Sequence, residues 1–112
     1  MSAPAGTRLW LAQRASAAVL VICVAVHLAT MVAAVRGGLS APEILNRTRG
    51  SFGWAAFYGL FVVAVSVHAP IGLRTVAAEW LGWRGGTADA ACLVVGIALL
   101  LLGAGAIAAV TR

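Results

Sequence analysis

Three apolar runs of membrane-spanning length constrain this chain more than any other feature. They are Ala15 to Val35, Phe52 to Leu73 and Ala88 to Val110. The first two carry no Asp, Glu, Lys or Arg, and the third carries only Asp89, near its head. About 18 consecutive apolar residues mark a spanning candidate. In hydrocarbon every backbone polar group must be satisfied internally, so such runs fold as helices. The expected fold class is therefore all-α: an integral membrane three-helix bundle, with a short interfacial helix between the first and second spans. One transmembrane domain should cover residues 1–112, with spans at about 10–35, 52–76 and 88–110.

Composition agrees. The chain is 62% hydrophobic and 10% charged, whereas soluble domains are roughly half apolar and a quarter charged. The net charge is +5 and every basic residue is arginine. These arginines cluster at the ends of the runs, as in membrane proteins. No basic stripe or helix remains outside the runs, which argues against nucleic-acid binding. Arg8 and Arg14 precede the first run as they would in a signal peptide. That run, however, is longer than a typical signal core and lacks a clear small-x-small end. It reads as a retained span. Cys23 and Cys92 lie within spans and read as packing residues. No Cys-x-x-Cys-His is present, so covalent haem attachment is excluded.

Residues 1–8 read as a frayed tail. The first helix should start near Leu9 and stop before Gly37-Gly38. Ser40-Ala-Pro-Glu43 is a capping-box pattern with Pro in the first turn, and it should start the short interfacial helix. The second helix should run from Phe52 to Leu81 across Pro70, which tends to kink a helix. Gly96, Gly103 and Gly105 allow close approach of the third span. Glu43 and Asp89 read as surface caps. With three spans, Arg8, Arg14, Arg74 and Arg84 share one side, and Arg36, Arg47, Arg49 and Arg112 the other. The positive-inside rule therefore gives no orientation.

His27 and His68 lie deep in the first two runs. A polar, metal-capable side chain in hydrocarbon costs free energy without a partner. Imidazole is also a common axial ligand of haem iron. Each histidine has two readings: a ligand of a b-type haem, or a hydrogen-bonded residue between helices. Residues three, four, seven and eleven apart share a helix face. Gln13, Ser16, Cys23, His27 and Thr30 form one such stripe, which should face protein. Phe57, Phe61, Ala64, Gly72, Thr75 and Glu79 share the stripe of His68. Gly72 would leave that face bare for a flat macrocycle, with Phe57 and Phe61 at its edge. Arg14 and Arg74, expected on one side of the bilayer, either snorkel to headgroups or turn inward to a haem propionate or a quinone carbonyl.

These residues give the chain a resemblance to the cytochrome b membrane-anchor subunits of succinate dehydrogenase and fumarate reductase. Three features carry it: Arg14 with Ser16 at the head of the first span; His68-x-x-x-Gly72-x-Arg74 late in the second; and Glu79-Trp80 beyond it. The segments Arg36-Gly-Gly-Leu-Ser40 and Glu43-Ile-Leu-Asn-Arg-Thr-Arg-Gly50 are similar to bacterial members. The resemblance implies a multi-pass subunit of the bacterial inner (cytoplasmic) membrane, with its N-terminus in the cytoplasm. It implies iron–sulfur and flavoprotein partner subunits, which pass electrons from succinate to quinone. It also implies His68 as an axial ligand of haem b. Arg14 and Ser16 would line the quinone pocket or meet a propionate. Trp80 stands where one branch has a quinone-contacting tyrosine, and offers an indole N–H in place of a phenol.

The second haem ligand has three candidate sources: a distinct second anchor subunit, His68 of a second copy of this chain, or His27 of the same chain. From helix rise, His27 lies ~18 Å and His68 ~12 Å from the same side, an offset of ~6 Å. His27 could instead serve a second haem or be structural. The chain carries no flavin-binding or cluster-binding motif, so it reads as a non-catalytic anchor and electron-transfer subunit. The competing readings are a b-haem anchor of another membrane dehydrogenase, and a cofactor-free small transporter or structural protein. A transporter more often carries a carboxylate within a span, whereas Glu79 lies near the interface.

Overall fold

The computed structural model describes residues 5–112. Its elements are α1 (Ala5–Arg36), α2 (Ala41–Thr48), α3 (Phe52–Leu81) and α4 (Gly86–Thr111). Strands are absent among the described residues. The all-α expectation holds, including the short helix between the first two spans. The tail departs from expectation. Helix α1 begins at Ala5, not near Leu9, and residues 1–4 of the expected frayed tail lie outside the described residues. Gly6 and Thr7 are poor helix formers, but they adjoin a long helix and add no nucleation cost.

Apolar side chains encircle α1, α3 and α4 instead of forming one stripe. A helix of that kind is buried in a large core or spans a membrane. Here the core is too small for the first option. Among the described residues, Cys23 is the only side chain of any size that is fully enclosed, while Val35 is 76% and Leu102 73% exposed. Such a surface needs lipid or protein around it. The three long helices have 32, 30 and 26 residues and suit membrane spans by length and composition. At 1.5 Å per residue each exceeds the ~30 Å hydrocarbon core, so their ends project or the helices tilt.

Helix α3 occupies the middle, packed against α4 on one side and α1 on the other, with little direct contact between α1 and α4. Glycine sets the α3–α4 seam. A Cβ on Gly103 would stand 2.5 and 2.7 Å from the two Val62 methyls. One on Gly96 would stand 3.0 Å from the Pro70 ring and 3.3 Å from the Ser66 carbonyl. Pro70 has no N–H, so the Ser66 carbonyl loses its ordinary helical partner. Gly96 gives this irregular patch a smooth surface to lie on, and α3 stays helical through it. Gly105 differs from expectation: nothing would meet a Cβ there. It is two residues beyond Gly103 and so faces away from the seam.

The turns close as their sequences suggest. After α1, Gly38 adopts φ +65°, and the Leu39 N–H donates to the Ala34 carbonyl at 3.0 Å. Ser40 caps α2: the Ser40 N–H donates to Glu43 Oε2 at 2.6 Å, and the Glu43 N–H donates to Ser40 Oγ at 3.4 Å. Gly50, at φ +68°, donates its N–H to the Thr111 carbonyl at 2.7 Å. This bond joins the α2–α3 turn to the far end of α4.

Two predictions follow from these contacts. Gly103→Val should separate α3 from α4 and cost about 1–3 kcal/mol, whereas Gly105→Ala should be near neutral; thermal unfolding of the detergent-solubilised protein checks the contrast. The Glu43 carboxyl is held below its ordinary value of 4.5, chiefly by the Ser40 backbone N–H, then by the Ser40 hydroxyl, with Arg47 adding attraction. A depressed carboxyl stabilises its folded form above the unfolded pKa and loses that contribution as pH falls through the folded one. Amide exchange in the first turn of α2 should therefore quicken below the ordinary carboxyl range, and Glu43→Gln should abolish that pH dependence.

Candidate functional site

Of the expected site residues, the structure brings His68, Ser16, Gly72 and their neighbour Gln13 together at the α1–α3 seam. Helix α3 turns His68 toward α1, where the ring is half-buried. Its Nδ1 lies 3.5 Å from Ser16 Oγ. Ser16 is 7% exposed, and its hydroxyl donates to the Gln13 carbonyl at 3.1 Å. The Gln13 side chain takes the space over Gly72, with Nε2 3.3 Å from where a Cβ would sit. Gln13 Oε1 is buried without a hydrogen-bond partner among the described residues. The expectation of a bare Gly72 face is therefore corrected: glycine here accommodates a neighbouring amide.

The apolar wall beside His68 comes from α1. Ala17, Leu20, Val21, Val24, Ala25 and Leu28 line an open groove of about 500 Å³ that His68 borders. Phe57 and Phe61, expected at the edge of this site, belong elsewhere. Phe61 meets the His27 ring edge-on, with centroids 5.9 Å apart, and Phe57 packs on Phe61 and Tyr58. Tyr58 Oη stands 3.5 Å from His27 Nδ1. His27 thus borders a second cavity of about 420 Å³, which reaches Thr48, Val62, Gly103 and Ile107.

The two histidines are level with different parts of α1. His68 is opposite Ser16, eleven residues from His27, or ~16 Å along the axis at 1.5 Å per residue. That distance is well beyond the reach of two axial ligands on one iron. The smaller offset expected from sequence measured His27 from the head of the first run and His68 from the end of the second; α1 starts earlier, at Ala5, and α3 runs on to Leu81. Arg14 and Arg74 do not converge either. Arg14 is exposed and its guanidinium lies 5.3 Å from the centre of the Trp10 ring. Arg74 faces α4, where its Nε donates to Asp89 Oδ1 at 2.6 Å. Asp89 is thus an ion-pair partner in the first turn of α4 and not a helix cap; Gly85 holds the cap position. Trp80 is 81% exposed. Arg74, Glu79, Trp83, Arg84 and Asp89 surround a polar recess of about 330 Å³ at the α3–α4 hairpin.

Sequence reasoning missed two contributors. Tyr58 is the chain's one tyrosine and sits in an apolar run four residues after Trp54, a signal that a polar partner awaited it. The small residues Ala17 and Ala25 share a face with Val21 and Leu28, a signal for a smooth surface.

Among the described residues no group of three or more metal-ligating side chains occurs. A porphyrin supplies four of the iron's ligands itself, so a haem asks the protein only for axial donors. His68 fits that demand. One ring nitrogen is held by Ser16, Nε2 has no partner among the described residues, and an apolar groove adjoins the ring. A ligating histidine ordinarily has its second nitrogen oriented in this way.

Helix length, all-round apolarity and exposure define the class: a multi-pass helical membrane protein. Residues 1–106 match the family described as the succinate dehydrogenase/fumarate reductase transmembrane subunit. The match spans nearly the whole chain, and the protein belongs to that family: it is a membrane-anchor subunit of a succinate dehydrogenase or fumarate reductase complex. Among curated proteins and solved structures, none matches the chain at a significant level.

The Arg74–Asp89 pair has both side chains about half exposed. Asp89→Asn should therefore lower stability by less than about 1 kcal/mol, and high salt should shrink the difference. Thermal unfolding at two ionic strengths reads both effects.

Proposed function

We propose that this anchor holds a b-type haem through His68 Nε2 and contributes to a quinone site beside it. The observation that carries the reading is the half-buried imidazole itself, held at Nδ1 by Ser16 and bordering an apolar groove. Bound there, the haem would supply a one-electron store between an iron–sulfur subunit and quinone. A flavoprotein subunit would deliver the electrons from succinate.

One chain offers the groove one imidazole. A second protein donor to that haem would come from a partner chain, either a distinct anchor subunit or a second copy of this one. His27, about three turns of α1 away and engaged by Tyr58, is the candidate for a second haem or a structural role. Arg14 lies half a turn before Ser16 and is exposed, so its guanidinium is free to swing from Trp10 to a propionate or a quinone carbonyl. The Trp80 indole N–H is a donor for the same headgroup. Ser16 is buried against His68, so its contribution to the quinone pocket runs through that histidine. Arg74 is paired with Asp89 across the α3–α4 hairpin and would meet a propionate only by leaving that pair. We place the N-terminus and this hairpin at the cytoplasmic face of a bacterial inner membrane, beneath the soluble subunits.

The test is a reduced-minus-oxidised spectrum of the purified complex. A b-type signal should vanish in His68→Ala and survive in His27→Ala. An assembled wild-type complex without haem would overturn the cofactor assignment and leave the anchoring role.

A further inference from the structure

We infer that Ser16 fixes the proton of the His68 ring on Nδ1 and so presents Nε2 as a bare lone pair. Ser16 is thereby a positioning residue for whatever His68 ligates. Its link to iron rests on the haem reading above; its effect on the ring does not.

A serine hydroxyl has one proton and two acceptor lone pairs. The Gln13 carbonyl is the nearer partner, at 3.1 Å from Ser16 Oγ, against 3.5 Å for His68 Nδ1. That carbonyl is on the same helix, three residues back, where helical geometry fixes it. At 7% exposure, water does not compete for the hydroxyl. The proton therefore goes to the carbonyl, and what Ser16 turns toward α3 is a lone pair. An unprotonated Nδ1 there would set two lone pairs against each other in a low-dielectric seam, where such a mismatch is costly. A protonated Nδ1 donates to Ser16 Oγ instead. In a neutral imidazole only one nitrogen carries hydrogen, so Nε2 is left as the acceptor. Iron coordination needs that lone pair. The Nδ1–H···Oγ bond would also raise the electron density of the ring, and with it the donor strength of Nε2.

Gln13 supports the arrangement from the other side. Its side chain fills the space over Gly72, and its carbonyl holds the serine proton. The chain from the Gln13 carbonyl through Ser16 to His68 has one direction of donation, toward α1, with no rotor left to reverse it.

The test has two arms. In the full chain, 15N-labelled at histidine and held in lipid bilayers without haem, the His68 signals are assigned by their loss in His68→Gln. Wild type should show the Nδ1–H form. Ser16→Ala should move His68 toward the Nε2–H form that free side chains favour, and Ser16→Thr should restore wild-type signals. In the assembled complex, Ser16→Ala should retain haem but shift its midpoint potential upward, because a weaker donor stabilises ferric iron less; Ser16→Thr should leave the potential near that of wild type. An Nε2–H ring in wild type, or a tautomer unchanged by Ser16→Ala, overturns the proposal. A complex without haem would remove the link to iron while the first arm still decides the tautomer. If Ser16→Ala does not assemble, the wild-type tautomer alone decides.

Discussion

Close van der Waals contact across the α3–α4 seam does here what the hydrophobic effect does in a water-soluble protein. Lipid tails are as apolar as leucine, so burying a valine against a helix gains nothing by excluding water. What remains is contact, and contact requires backbones to approach. Gly103 admits Val62, and Gly96 admits the Pro70 ring together with the unbonded Ser66 carbonyl. This seam fixes the rotation of α3. The opposite side of α3, carrying His68, is thereby set toward α1 and Ser16.

The two seams of α3 therefore differ in kind. The one with α4 is tight over its central part, with the Arg74–Asp89 ion pair at the hairpin end. The one with α1 carries the polarity of the span: Gln13, Ser16 and His68 at one level, His27 and Tyr58 at another. Two polar levels separated by apolar residues make two independent environments for imidazole. One is held by a hydroxyl next to an open apolar groove, the other by a phenol and flanking aromatic rings.

Much of this was legible in the sequence. The three runs specify three helices because hydrocarbon leaves a backbone no other choice. Ser40 and Glu43 announced the start of α2, and the box is present. Gly96 and Gly103, seven apart, lie on one face and mark a contact. Gly105 carries the same residue type but the wrong angle, and a one-letter code does not reveal which glycine faces a neighbour. The same limit explains Gly72. Its bareness was evident, yet its occupant was not, because the rotation of α1 about its own axis is set by long-range packing. Periodicity also placed Phe57 and Phe61 on the His68 stripe. They do point the same way as His68, but about two and three turns along α3 from it they lie at the level of His27, not of Ser16. Arg74 was visible as a charge near a helix end, while its pairing with Asp89 required knowing that α4 folds back beside it.

The bond from the Gly50 amide to the Thr111 carbonyl has a consequence for biogenesis. The α2–α3 turn is translated well before the end of α4, so its amide must wait, solvated, at the membrane surface until α4 has been threaded through. Only then can the clasp snap shut. Insertion of α4 is thus the event that ties the α2–α3 turn to Thr111 across the rim of the bundle.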